Sequence, residues 1–181
     1  MILNKYGSNE NFPNFDVYKI HIHIDKTLYN TEIYESNASD DYTVHQMCDD
    51  YIKTCDGFVI VYAINSRTSF IEANNYRERI YKLRNIKENV HLPILFVGNK
   101  SDLEIQRTVD YVEAKALAIK WNVGLIESST KTNQNIMALF QMICEDVVAS
   151  TNNNTTVVID KNTNSVVNEQ QKYVLHKCCL V

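Results

Sequence analysis

The chain has 181 residues, enough for one core-bearing domain and too few for two of ordinary size. Its hydrophobic fraction of 45% excludes a wholly disordered or fibrous chain, and a net charge of −4 leaves no electrostatic footprint for nucleic acid. Glycine occurs only four times, at Gly7, Gly57, Gly98 and Gly124, so a glycine-rich phosphate cradle must use one of these positions or be absent.

Along the chain, Phe15–Ile24 (FDVYKIHIHI) is β-rich and ends in an apolar/polar alternation. Asp25-Lys26 then turns the chain into Leu28–Tyr34, and the pair predicts an antiparallel hairpin. His21 and His23 lie two residues apart on one face; with no Cys or carboxylate cluster beside them, they read as an exposed strand face rather than a metal site. Gly57–Ala63 (GFVIVYA) and Pro93–Gly98 (PILFVG) are continuous apolar runs, the pattern of parallel strands covered on both faces. Between them, Phe70, Ala73, Tyr76, Ile80 and Leu83 recur at helical spacing over Ser69–Asn85. Asp110–Trp121 repeats that pattern, Gly124–Glu127 is a short strand, and Asn133–Val148 is a further helix. The alternation predicts an α/β fold with a mixed, mostly parallel sheet and helices on both faces. The domain is expected over residues 1–149, followed by a polar Asn/Thr-rich linker over 150–177 and a C-terminal box over 178–181. About one residue in nine is asparagine, crowded especially into the linker, whose composition cannot bury enough apolar area to offset chain ordering.

In such sheets ligands bind beyond the carboxyl ends of the strands. Directly after PILFVG comes Asn99-Lys100-Ser101-Asp102, and after GLIE comes Ser128-Ser129-Thr130-Lys131. Guanine presents two adjacent donors, its ring N–H and exocyclic amine, which the carboxylate of Asp102 can accept together; adenine has no such pair. Asn99 can bond the far edge of the base or tie the two loops, and the stem of Lys100 can cover a ring face. A backbone N–H near Thr130 would donate to the guanine keto oxygen, with Lys131 over the other face.

At these residues the chain resembles the Ras family of small GTPases. The resemblance runs from about Phe12 to Ala149 and rests on GFVIVYAINSRTSF, YRERI, LPILFVGNKSDL and ESSTKT, in the family's order. It implies a Ras-like P-loop NTPase fold, a GTP- or GDP-binding signalling switch, and effector or exchange-factor partners. It also implies that Asn99, Lys100 and Asp102 contact guanine, with Ser129, Thr130 and Lys131 as the second base-binding loop.

The pattern breaks at the phosphates. The family holds them with G-x-x-x-x-G-K-[ST], yet none of the four glycines opens that motif and no Gly-Lys dipeptide occurs. On the resemblance, the sequence begins around Met1–Tyr6 where the family finishes its first helix, so the first strand, the phosphate loop and most of that helix are absent. That strand is central in the family's sheet, between the hairpin and GFVIVYA. Apolar edges are therefore exposed unless the hairpin shifts across to pair directly. Further departures are Asn14 after Pro13, where the family has a metal-binding threonine, and Ala38 and Ser39, where it has the γ-phosphate-sensing glycine and the water-orienting glutamine. Glu35 could reach a metal through water, but reads more simply as a solvated strand-end carboxylate. At roughly 1.5–3 kcal/mol each, about five lost phosphate contacts plus the metal remove on the order of 10 kcal/mol, or about seven decades of affinity. GTP hydrolysis is therefore expected to be impaired or absent, no catalytic residue or metal ligand is assigned, and Mg²⁺ is left open. The alternatives are a nucleotide-free module that binds partners through the region around Phe12–Lys19, and a reading frame whose upstream part encodes the phosphate loop.

Five cysteines, at 48, 55, 144, 178 and 179, show no zinc or disulfide spacing, and a reduced compartment is expected. The ending Cys178-Cys179-Leu180-Val181 fits a C-a-a-X prenylation box, with Cys178 as the lipid acceptor and Cys179 a second candidate. Lys172, His176 and Lys177 form only a thin basic patch before it. The expected location is the cytoplasmic face of a membrane, the plasma membrane first, with a second lipid or a partner needed for stable anchoring.

Overall fold

The computed structural model describes residues 4–6, 15–36, 49–87, 89–154 and 175–180. The strands are β1 (Asn4–Tyr6), β2 (Phe15–Ile24), β3 (Thr27–Ser36), β4 (Gly57–Ala63), β5 (Ile94–Asn99), β6 (Gly124–Glu127) and β7 (Leu175–Leu180). The helices are α1 (49–54), α2 (Arg67–Arg84), α3 (Tyr111–Trp121) and α4 (Ile136–Asn154), with a 3₁₀ turn at Ser101–Gln106 after β5. One sheet runs β1-β2-β3-β7-β4-β5-β6. Its first three strands are antiparallel to one another, and every pairing from β3 onward is parallel. The α/β architecture and the mostly parallel sheet agree with the sequence reading.

The apolar runs of β4 and β5 are continuous because both faces of the sheet are covered. Phe58, Ile60 and Tyr62 of β4, with Phe96 of β5, pack into a core with Phe70, Ala73 and Ile80 of α2 and Ala114, Ala118 and Trp121 of α3. The alternate residues Val59, Leu95 and Val97 pack on the opposite face with Leu139, Phe140, Ile143 and Cys144 of α4. Ile20, Ile22 and Ile33 of the hairpin join that second core, while His21 and His23 lie exposed on the other side of the strand, as the alternation predicts.

Asparagine takes over work that glycine usually does. Among the described residues, four of the six non-glycine residues with positive φ are Asn85, Asn122, Asn133 and Asn135, and no glycine has positive φ. Asn85 and Asn122 end α2 and α3 in the left-handed conformation, each donating its N–H to two carbonyls of the last turn. Asn133 and Asn135 keep the loop before α4 non-helical, so that helix starts at Ile136 rather than Asn133. At its far end α4 runs on to Asn154, with the Thr151 hydroxyl donating to the carbonyl of Val147 at 2.8 Å. Among the described residues no helix is long and apolar enough to cross a membrane.

Three expectations are corrected. Asn4–Tyr6 is an edge strand antiparallel to Val17–Lys19 rather than the end of a helix; three residues cannot sustain a helix alone, and β2 offers a ladder partner. The hairpin does not shift across to pair with β4. Instead β7, from the segment read as linker end and lipid box, lies between β3 and β4 and is parallel to both, so the two edges have their partner. Finally, Cys55 is disulfide-bonded, against the expectation of unpaired thiols, while Cys144 is a buried thiol 3.5 Å from the Thr31 hydroxyl. Pro13, Asn14, residues 37–48, Lys172 and Val181 lie outside the described residues.

Candidate guanine-binding site

The two motif loops leave the carboxyl ends of adjacent parallel strands, β5 and β6, and meet there. Their backbones are tied directly: Ser128 donates its N–H to the Gly98 carbonyl at 2.9 Å, and Ser101 donates to the Ser128 carbonyl at 3.0 Å. Gly98 is required at this crossing for reasons of space. A Cβ there would lie 2.7 Å from the Tyr62 hydroxyl and 3.1 Å from Cγ of Glu127.

Asn99 points its carboxamide oxygen back to the Lys100 N–H at 2.8 Å, and Lys100 itself takes a left-handed turn with φ of 64°. That turn starts the 3₁₀ segment carrying Asp102. From the second loop, the buried Ser129 hydroxyl donates to Oδ1 of Asp102 at 2.5 Å and accepts from the Thr132 N–H at 3.2 Å. Lys131 Nζ stands 3.8 Å from Oδ2 of Asp102. The Ser129 hydroxyl, then the Lys131 and Lys100 charges, hold the Asp102 carboxyl below the usual carboxylate range. Asp102 is thus a fixed, ionised acceptor pair. Its Oδ2 faces Lys131, and Oδ1 keeps lone-pair capacity beside the Ser129 bond. Thr130 and Lys131 are exposed at the rim. The structure therefore brings Asn99, Lys100, Asp102, Ser129, Thr130 and Lys131 to one end of the sheet. Cys178, the predicted lipid acceptor, falls on β7, away from this site in the chain's order of strands.

Since the pKa of Asp102 is lower folded than its ordinary value of 3.8, the stability drawn from its ionised form is present above that value and is lost as pH falls through the lower folded one. Guanosine binding, followed by ligand-detected NMR, is expected to be flat from about pH 5 to 8 and to fall only below about pH 4. A midpoint near neutrality would show that another group controls the site.

Two residues that the motifs did not flag hold this corner together. Arg107, after the 3₁₀ turn, forks onto Glu127 at the end of β6 with bonds of 2.7 and 2.9 Å, and onto Glu104 at 2.9 and 2.5 Å. Glu127 first and Glu104 second push the Arg107 pKa further up, so the guanidinium clamps both loop bases permanently. Asn135 adds a bond from its amide to the Glu127 carbonyl at 2.8 Å. Arg107→Ala leaves Glu127, whose side chain is only 18% exposed, without its partner. The expected loss is about 2 kcal/mol by denaturant titration, with Arg107→Lys recovering only part of it because an ammonium cannot fork.

The model of the Ras family matches residues 2–149. The chain is similar to "Ras-like protein rasX" of Dictyostelium discoideum, 36% identical over 125 residues, covering 69% of this chain and 56% of that protein. "Ras-like protein RAS2" of Hydra vulgaris is 34% identical over 125 residues, with 69% and 62% covered. "Ras-like protein rasB" of Dictyostelium discoideum is 36% identical over 135 residues, with 75% and 66% covered. The chain thus spans just over half the length of the first of these relatives. With a family match over residues 2–149 and relatives 34–36% identical, the chain belongs to the Ras family of small GTPases.

Proposed function

We propose that this chain recognises the guanine base of GTP or GDP through Asn99, Lys100, Asp102 and the loop Ser129–Lys131, as part of a small GTP-binding signalling switch. The observation that carries the reading is the 2.5 Å bond from Ser129 to Asp102, which joins the two loops and fixes the carboxylate in its ionised form. The base's ring N–H and exocyclic amine donate to the two Asp102 oxygens, and the stems of Lys100 and Lys131 cover its faces. These residues fit the base. They do not fit the phosphates, because the 181 residues contain no Gly-Lys dipeptide to cradle them, so no hydrolytic step is derived for this chain. Lipid on Cys178, holding the protein to the cytosolic face of the plasma membrane, completes the proposal; its support is the C-a-a-X spacing.

Titration of the purified chain with labelled GDP and GTP, with and without Mg²⁺, tests the nucleotide part. Weak, Mg²⁺-independent binding is expected, with guanosine competing as well as GDP and adenosine not competing. Sub-micromolar, Mg²⁺-dependent binding would overturn the loss of phosphate recognition, and no competition by guanosine at millimolar concentration would overturn the base site.

A further inference from the structure

The lipid-box segment is also a strand of the sheet. β7 pairs with β3 over Asn30–Glu35, opposite Leu175–Leu180, and with β4 over Gly57–Val59, opposite Cys178–Leu180. Among the described residues it is the only strand joining the hairpin to β4, β5 and β6. Over Cys178–Leu180 its backbone therefore has a paired neighbour on both sides, the position in a sheet least able to leave without opening two edges.

The rungs that carry the two cysteines are flanked by buried residues of both neighbouring strands. Cys178 stands in register between Ile33 and Gly57. Ile33 is 3% exposed and packs in the α4-side core, and a Cβ on Gly57 would lie 2.6 Å from Cγ2 of Val147. Cys179 stands in register between Tyr34 and Phe58, both buried in the opposite core. Both rungs are paired through their backbones to a strand on either side, and a transferase must take hold of an extended, unpaired segment, so the box cannot be served while the strand stays docked. Residues 155–174 separate α4 from β7 and can span up to about 70 Å when extended, so the same segment can also reach away from the sheet.

We propose that Leu175–Leu180 is an exchangeable strand, and that its docking in the sheet and its use as a lipid acceptor exclude each other. Docked, β7 completes the sheet and withholds Cys178 from modification. Undocked, the box is open to a transferase: the Cys178 thiol gives its proton to solvent, the resulting thiolate attacks C1 of an allylic isoprenoid diphosphate, and the C–S bond forms as the C–O bond breaks and diphosphate leaves. The modified segment then cannot return, and a slot bounded by β3 and β4 remains. The lipid half of this proposal rests on the prenylation reading above; the strand half does not.

Two measurements on the full chain in reducing buffer separate the halves. In hydrogen exchange followed by mass spectrometry, the amides of 175–180 are expected to exchange at least about a hundredfold slower than the same residues in a free peptide of 170–181. Equal rates overturn the docked strand. In prenyl transfer with farnesyl or geranylgeranyl diphosphate and the matching transferases, read by intact mass, the free peptide is expected to be modified at least about tenfold faster than the chain. Equal modification rates for chain and peptide overturn the exclusion. A peptide that gains no prenyl mass with either donor overturns the lipid half while leaving the exchange result to stand.

Discussion

Asp102→Asn is expected to weaken guanosine and GDP binding by about a hundredfold or more and to create binding of xanthosine. The argument is one of donors and acceptors. Asp102 offers two acceptors, held ionised by the Ser129 hydroxyl and the nearby lysines, to the two donors of guanine. Asparagine offers one acceptor and one donor, which leaves one guanine donor facing another donor. One charge-assisted bond is then replaced by a donor facing a donor and the other loses its charge, together about 3 kcal/mol or more, which is the hundredfold. Xanthine carries an oxygen where guanine has its exocyclic amine, so the new amide matches it. Competition assays with guanosine, xanthosine and adenosine check the outcome. Equal loss for all three bases would mean that the substitution merely disordered the loop, and retained guanosine preference would remove Asp102 from the base site. Ser129→Ala tests the supporting bond separately: it should weaken guanosine binding by a smaller factor without changing which base is preferred.

That the site was legible at all follows from what kind of signal carries it. Asn99-Lys100-x-Asp102 and Ser129-Thr130-Lys131 are contiguous stretches placed directly after apolar runs, so a one-dimensional reading can locate them. β4 and β6 begin and end where their residues predict because their boundaries are set by local apolar content. Long-range devices left no such trace. Arg107 reaches Glu127 across twenty residues and appears in sequence only as one charge in a polar turn. Arg77, a charged residue between the apolar positions of α2, is buried and lies over the rings of Tyr81 at 4.5 Å and Trp121 at 5.5 Å, an arrangement that only the packing of α2 against α3 creates. β7 escaped for a stronger reason. LHKCCL has no clean alternation, follows a polar stretch, and satisfies a competing motif; what makes it a strand is the pair of open edges on β3 and β4, which no local pattern records.

Phe96→Ala is expected to cost about 3–5 kcal/mol, a large share of the roughly 5–15 kcal/mol that stabilises an ordinary domain. Phe96 is fully buried at the middle of β5, in register with Ile60 of β4 and Leu125 of β6. Its ring is the hub of an aromatic cluster, with centroids 4.7 Å from Tyr62, 4.9 Å from Trp121 and 5.9 Å from Phe70. Those three partners come from β4, α3 and α2, so the truncation removes contacts along which the sheet and both helices on that face are joined. The cavity cannot collapse easily, because the same rings are held from the far side by the Arg77 stack on Trp121 and by the Arg67 guanidinium over Phe70. Phe96→Leu should recover most of the loss, since it keeps most of the volume while giving up the ring contacts. Ile119→Ala on the exposed face of α3, at 70% exposure, should change stability by less than about 0.5 kcal/mol and serves as the reference. Urea titration of the three variants gives the comparison. A Phe96→Ala loss no greater than that of Ile119→Ala would mean that the aromatic cluster does not bear the stability of this domain. Guanosine binding measured per folded molecule should survive the substitution, because Asn99 and Asp102 take their geometry from the Gly98 crossing and the Arg107 clamp, while the Phe96 ring packs against Tyr62, Phe70 and Trp121.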